Sequence, residues 1–270
     1  MSALRQQLKR LTPRPLWLAA RELWLAARRL AAWPGTTFHP RRRRSIAQLA
    51  AYKDKHLGQR AFILGNGPSL ARTDVSRLAN EITFGMNRVY LAFEEWGLAS
   101  TYFLTVNDLI IEQAGVDIAQ LPMPKFLSWR GQALMLDAPQ TMFLHTTYEG
   151  PTFAKDARGR LWEGATVTYV ALQLAYYMGC DPVILIGVDH SFSSQGAPNT
   201  TVVSQGDDPD HFDARYFGKG FRWQLPDLET SERAYALARE AFEADGRRVL
   251  DATIGGELTV FPKVDYDSLF

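Results

Sequence analysis

The run Pro182-Val183-Ile184-Leu185-Ile186-Gly187 constrains this chain more than any other stretch. Four consecutive aliphatic residues between turn formers leave no polar face for water, so they read as a strand covered on both sides, as in the interior of a parallel sheet. Similar runs precede it at 61–64, 82–86, 101–106, 125–127 and 141–144, and one follows at 248–250. Helical patterns fall between them, at 46–57, 88–96, 109–120, 166–178 and 229–244, with Gly179 and Gly246 placed as stops. The alternation predicts an α/β fold, a Rossmann-like parallel sheet with helices on both faces. A length of 270 residues suits one such domain with additions, and residues 46–270 are assigned to it.

The remaining N-terminal segment differs in charge. Residues 1–60 carry fourteen Lys/Arg and two Asp/Glu, a net +12, so with +1 overall the rest carries −11. Within residues 1–45, assigned to a basic helical arm, positions 16–33 read as an amphipathic helix. Leu16, Leu23 and Leu30 recur on one face with Trp24 and Leu25 nearby, and Arg14, Arg21 and Arg28 recur on another. Pro34-Gly35 is expected to end it, and Arg41 to Arg44 form a basic run. An anionic membrane surface and packing against protein, either the body or a second copy in a homo-oligomer, are the two expectations for this arm. Arginines break every apolar stretch, which argues against a membrane span or a signal peptide. An acidic body without interleaved aromatic and basic residues argues against nucleic acid. The single cysteine, Cys180, lies between an apolar helix and an apolar strand and reads as a buried thiol; together these point to a cytoplasmic protein, with peripheral contact at the inner face of the membrane through the arm.

Ligands of parallel α/β sheets bind beyond the carboxyl ends of the strands. Polar residues stand at several such ends: Asn66 after the first strand, Asn87 after the second, Asn107 and Asp108 after the third, Asp189 and His190 after the run at 183–186. In Gly65-Asn66-Gly67-Pro68-Ser69, Gly65 and Gly67 permit a tight turn and close ligand approach, and exposed amides with the Ser69 hydroxyl suit a phosphate. The loop is neither a Walker A loop nor a dinucleotide fingerprint, because no Lys follows and Leu70 stands where a third glycine belongs. His190 and His211 are candidate bases. Asp189 is a candidate donor-binding residue or metal ligand, with turn capping as the alternative; Asp108 and Asp189 are the candidate Mg²⁺ ligands, with helix capping as the alternative for Asp108. The polar stretch 191–224 is long for a connection and reads as a lid-like segment.

Phe62-Ile63-Leu64-Gly65-Asn66-Gly67-Pro68-Ser69-Leu70 with Phe84-Gly85-Met86-Asn87-Arg88-Val89-Tyr90, and then Met178-Gly179-Cys180-Asp181-Pro182 running into Gly187-Val188-Asp189, resemble two groups equally. One is the bacterial sialyltransferases that use CMP-activated sugars. The other is the MptE-like family, some archaeal members of which are 6-hydroxymethylpterin pyrophosphokinases. The resemblance covers roughly residues 55–255 and leaves out the arm. It implies that Asn66 and Asn87 contact a nucleotide donor, that Thr166 and Thr168 lie near its phosphate, and that 191–224 folds over the donor sugar. In Tyr216-Phe217-Gly218-Lys219-Gly220, Lys219 stands where the sialyltransferases carry a catalytic His. Tyr216 and Lys219 are then expected to stabilise the leaving phosphate, with His190 or His211 as base.

Three functions follow as expectations. The first is a glycosyltransferase moving a sugar from a nucleotide-activated, CMP-linked donor to a surface-glycan or lipid-linked acceptor, with no cofactor required. The second is an MptE-like pyrophosphokinase using ATP and Mg²⁺. The third is a non-catalytic nucleotide-binding protein, for which the replaced His speaks.

Overall fold

The computed structural model describes residues 14–270, apart from the side chains of 14–19, 21, 28, 29 and 32. Contacts divide the chain into two units, 1–43 and 44–270. Expectations placed on residues 1–13, and on the side chains of Leu16, Trp17, Arg21 and Arg28, lie outside the described residues.

In the first unit, helix α1 (Arg14–Phe38) runs through Pro34 instead of stopping there. Proline removes one donor and strains the turn before it. The turn beyond is held by Trp33 packed edge-to-face on Phe38, with ring centroids 5.2 Å apart, and by the Thr36 hydroxyl donating to the Trp33 carbonyl. Helix α2 (Pro40–Ala50) begins earlier than its apolar pattern predicts and takes in the arginine run.

The second unit is built on eight parallel strands in the order β10-β7-β1-β2-β3-β4-β5-β6. They are β1 (Ala61–Leu64), β2 (Ile82–Met86), β3 (Tyr102–Thr105), β4 (Lys125–Ser128), β5 (Thr141–Thr147), β6 (Arg160–Trp162), β7 (Val183–Ile186) and β10 (Val249–Asp251). Helices α3 (Phe93–Trp96), α4 (Asp108–Gln120), α5 (Val167–Tyr177) and α6 (Leu228–Ala244) surround them. The Rossmann-like α/β sheet is confirmed. Two hydrophobic clusters follow from the two-residue period of the strands. Ile63, Phe84, Leu104, Phe126 and Leu185 face α5 and α6, while Phe62, Phe103, Leu127, Phe143 and Ile184 face α4. Ten of the eleven residues of α5 are buried, which explains why its sequence is apolar all round.

Strand order reverses beside β1. The chain steps outward through β2 to β6, then returns to lay β7 and β10 on the other side of β1. This switch point opens a crevice at the carboxyl ends of β1 and β7. The segment after β7 is not a loose loop. It contains an antiparallel pair, β8 (Thr201–Val203) with β9 (Arg222–Gln224). The Gln113 side chain on α4 bonds both the amide and the carbonyl of Arg222, each at 2.8 Å. Strands β6, β8 and β9 were not anticipated, because three residues are too few to display a period. Residues 88–96 form a 3-10 turn and the single turn α3 where one helix was expected.

Candidate functional site

The crevice at the switch point is a cavity walled by the ends of β1, β2 and β7, the start of α5, the 191–224 segment and the first turns of α6. Asn66, Asn87, Thr166, Thr168, Asp189, His190, His211 and Tyr216 all line it, so most of the residues singled out in the sequence converge.

The end of β1 is shaped by the end of β7. A Cβ on Gly65 would lie 2.1 Å from the Gly187 carbonyl oxygen, and one on Gly67 would lie 2.0 Å from Asp189 Oδ2. Both glycines line the cavity, but the close approach they permit is that of β7. Asp189 accepts from the Ser69 amide (3.1 Å) and the Ser69 hydroxyl (2.6 Å). Ser69 is fully buried and absent from the cavity wall, so the expectation that its hydroxyl meets a phosphate is corrected. Asp189 welds the two strand ends together, with both oxygens engaged by Ser69. Only Asn66 Oδ1 is left buried with no hydrogen-bond partner on this loop.

Asn87, at φ +53°, sits in the left-handed region that asparagine tolerates. Its Oδ1 accepts from the Thr105 hydroxyl at 2.8 Å, and Tyr216 stands beside it on the cavity wall. Burial pushes that phenol well above its ordinary pKa. Thr166 caps α5, accepting from the Thr168 amide at 3.3 Å. Its hydroxyl lies 3.3 Å from the Tyr235 hydroxyl.

His211 carries the most definite chemistry. Its Nδ1 lies 2.8 Å from Asp208 Oδ2. A carboxylate only accepts, so Nδ1 holds the proton and Nε2 is the basic nitrogen. Asp208 is itself fixed, accepting from the Asp210 amide (2.9 Å) and the Phe217 amide (3.0 Å). The imidazole stacks on Tyr216 at 4.0 Å and 8°, with Phe217 at its edge. Next to it, Asp210 accepts from the Ser193 amide (2.7 Å) and the Ser194 hydroxyl (2.9 Å). Burial alone would raise the Asp210 carboxyl, but these donors hold it below the usual carboxylate range. His190, at φ +59°, pairs through Nε2 with Glu232 of α6 at 3.0 Å.

The segment is tied down at both neighbours. The Phe212 amide donates to the Asn66 carbonyl at 2.9 Å. Arg88, after β2, donates to the Arg215 carbonyl (2.9 Å) and the Tyr216 carbonyl, with its guanidinium over the Phe221 ring.

Lys219 does not reach the cavity. It stands exposed on the turn before β9, so its expected catalytic place is corrected: the Tyr216-Phe217 pair turns inward and the chain after Gly218 turns out. The Asp108–Asp189 metal pair is also corrected. Three strand steps separate β3 from β7, about 14 Å at the usual spacing. Asp108 is instead bound to Arg130 at 3.0 Å. Among the described residues no group of three His, Cys, Asp or Glu side chains is placed to hold a metal ion. Cys180 is buried and its thiol is pushed up to about 12, which leaves no thiolate at neutral pH.

A family model described as 6-hydroxymethylpterin diphosphokinase MptE-like matches residues 39–195, more than half of the chain. The chain belongs to the MptE-like family. The matched part of this MptE-like protein contains β1 to β7 and stops before Asp208 and His211. Among solved structures it is similar to the MAf glycosyltransferase from Magnetospirillum magneticum AMB-1, with a TM-score of 0.52 at 14% identity over 84% of this chain. The likeness is one of fold, and it takes in 38% of that protein's length. No curated protein sequence matches the chain. The family match supports an MptE-like enzyme, and the solved structure a shared fold. Among described residues no helix is long and apolar enough to cross a membrane.

Four residues around this cavity were not singled out in the sequence: Asp208, Asp210, Arg88 and Glu232. The spacing Asp208-x-x-His211 inside a polar segment was the available signal for the first.

Proposed function

We propose that the chain transfers a sugar from a nucleotide-activated, CMP-linked donor to a hydroxyl of a surface-glycan or lipid-linked acceptor. The observation that supports this best is the Asp208–His211 pair, whose imidazole lines a cavity at the strand switch point that Asn66 also lines. The acceptor hydroxyl attacks the anomeric carbon and passes its proton to His211 Nε2, while Asp208 stabilises the imidazolium. The bond from the anomeric carbon to the phosphate oxygen breaks, and CMP leaves with the electron pair. Its charge develops near the N-terminus of α5, where Thr166 and Thr168 stand and the helix dipole favours an anion. Asn66 and Asn87 orient the nucleotide. The preference for CMP rests on the likeness of the first loop and second strand to the sialyltransferases. The cavity, about 150 Å³, is smaller than the roughly 300–1,000 Å³ of ordinary ligand pockets. Binding of a whole donor therefore includes a shift of 191–224 away from the strand ends.

The family description favours a second reading, diphosphoryl transfer from ATP to a hydroxymethyl pterin. That chemistry uses a divalent cation. Asp108 and Asp189 do not fit one, being held apart and committed to Arg130 and Ser69.

A thermal-shift series with CMP, CDP, UDP, GDP and ATP, with and without Mg²⁺, separates the readings. At a hundredfold excess over Kd a ligand stabilises by about 2.7 kcal/mol. A shift with CMP in the absence of metal is the expected outcome. A shift with ATP and Mg²⁺ alone transfers the case to the pyrophosphokinase, and no shift with any nucleotide defeats both readings in favour of a non-catalytic role.

A further inference from the structure

Helix α1 lies outside the family match, and the transfer site makes no use of it. It leaves large apolar side chains in the open: Leu23 is 73% exposed, Leu30 72%, Phe38 58% and Trp33 56%. At about 100° per residue these four fall within an arc of about 140° on one side of the helix. By sequence spacing Arg14, Arg21, Arg28 and Arg29 recur on the other side. A free helix in water does not keep such a stripe without a partner.

Charge decides which partner. Residues 1–45 hold eleven Lys/Arg and one Glu, a net +10. A second copy of the arm would carry the same net +10, so pairing two arms sets like charges against each other. An anionic bilayer brings the opposite charge together with an apolar layer a few ångströms below it. The helix is 25 residues long, and no described helix is long and apolar enough to cross a membrane, so a bilayer would meet it along its length. Trp33 and Phe38 suit the boundary between headgroups and acyl chains.

We propose that α1 is an interfacial helix that seats this chain on an anionic lipid surface, with Leu23, Leu30, Trp33 and Phe38 turned into the bilayer. The inference stands independently of the transfer reading.

The test compares the full chain with a full-length Leu23→Glu/Leu30→Glu/Trp33→Glu variant in co-sedimentation with phosphatidylglycerol-containing and pure phosphatidylcholine vesicles. Glutamate is a good helix former and all three sites are exposed, but Trp33→Glu gives up the contact with Phe38, so a Leu23→Glu/Leu30→Glu variant that keeps it is run alongside and should melt with the parent; a melting curve checks this. The parent is expected to bind the anionic vesicles at least about tenfold better than the neutral ones, and the variant to lose about tenfold or more. Added salt is expected to weaken the parent's binding. Equal binding by parent and variant, or no binding by the parent, overturns the proposal. So does a parent that sediments as a dimer while the variant sediments as a monomer and neither binds vesicles; the occupant is then a second copy.

Discussion

Two polar clusters stand on the same carboxyl edge of the sheet. At the ends of β3, β4 and β5, Arg130 gathers Asp108 (3.0 Å), Glu163 (2.6 Å), the Thr146 hydroxyl (3.1 Å) and the Val106 carbonyl (3.1 Å), and lies 4.3 Å over the Tyr148 ring. At the ends of β1, β2 and β7, Asp208 orients His211, and Asn66 Oδ1 has no partner. Both are dense in polar and charged residues. In the first, both acids pair with the one cation between them, although one oxygen of each, Asp108 Oδ1 and Glu163 Oε1, makes no hydrogen bond. In the second, the acid acts on an imidazole whose other nitrogen is left basic, on a cavity wall. A crowd of polar residues is therefore no mark of a site, nor is a buried atom without a partner, which both clusters have; a basic nitrogen on a cavity wall sets the second apart.

The strongest way to break this comparison is at His211. His211→Ala should lower kcat for sugar transfer by about 10²–10⁴-fold, with the nucleotide-induced thermal shift kept. Asp208→Asn should fall in the same direction, because an amide that donates to Nδ1 moves the proton to Nε2 and removes the base. Turnover at full rate in His211→Ala would return the role of base to His190. Next in size is Arg130→Met. It strands the Glu163 carboxylate, 5% exposed, without its counter-ion, and should cost about 3–5 kcal/mol in urea denaturation. The double variant Arg130→Met/Glu163→Leu should recover much of the loss, since removing a buried pair together is far cheaper than halving it. Nucleotide binding should stay unchanged throughout; a lost nucleotide shift would show that the cluster belongs to the site. A smaller effect with the opposite split is expected for Asn66→Ala. Removing a buried acceptor that has no partner should leave stability within about 0.5 kcal/mol of the parent. The nucleotide Kd, read by calorimetry, should rise about tenfold for one lost hydrogen bond.

The sheet was legible because its central strands are continuous apolar runs, and α4, α5 and α6 because their periods and stops are clear. What escaped was too short or too irregular to carry a period: β6, β8, β9, and the turns built by Asp208, Asp210 and Asp213. The site was legible as a set of strand ends. Asn66, Asn87, Thr166, Thr168, His190 and His211 meet in one cavity because parallel topology sends every carboxyl end to one edge. Topology does not say which polar ends spend their bonds on each other. Ser69 and Asp189 satisfy one another across 120 residues of chain, and Asp108 turns to Arg130. Neither pairing has a sequence signal. Lys219 misled for a different reason: a motif position carried over from a resemblance fixes the residue's place in the chain, whereas the turn after Gly218 decides where the side chain points.

The last prediction sets the two clusters against each other by the sign of their pH dependence. Asp210, beside His211, has its carboxyl held below the ordinary value by Ser193 and Ser194 donors that outweigh burial. Its folded pKa is thus below its unfolded one, about 3.9. The stability it adds is present above that value and is lost as pH falls through the lower, folded one. Glu163 is the reverse: burial raises its carboxyl in spite of Arg130. The folded state takes up that proton first, so the contribution is fully present below the unfolded value of about 4.3 and is lost as pH rises through the folded pKa. Urea titrations across acid pH should therefore show Asp210→Asn flattening the fall in stability on the acid side, and Glu163→Gln flattening the decline on the side above. Proteolytic nicking within 191–224 should rise on acidification in the parent and be constitutive in Asp210→Asn, because that carboxylate holds the start of the segment over the cavity. If both variants flatten the same side, the two acids share one electrostatic environment, and the division between a closed cluster and an open site falls with it.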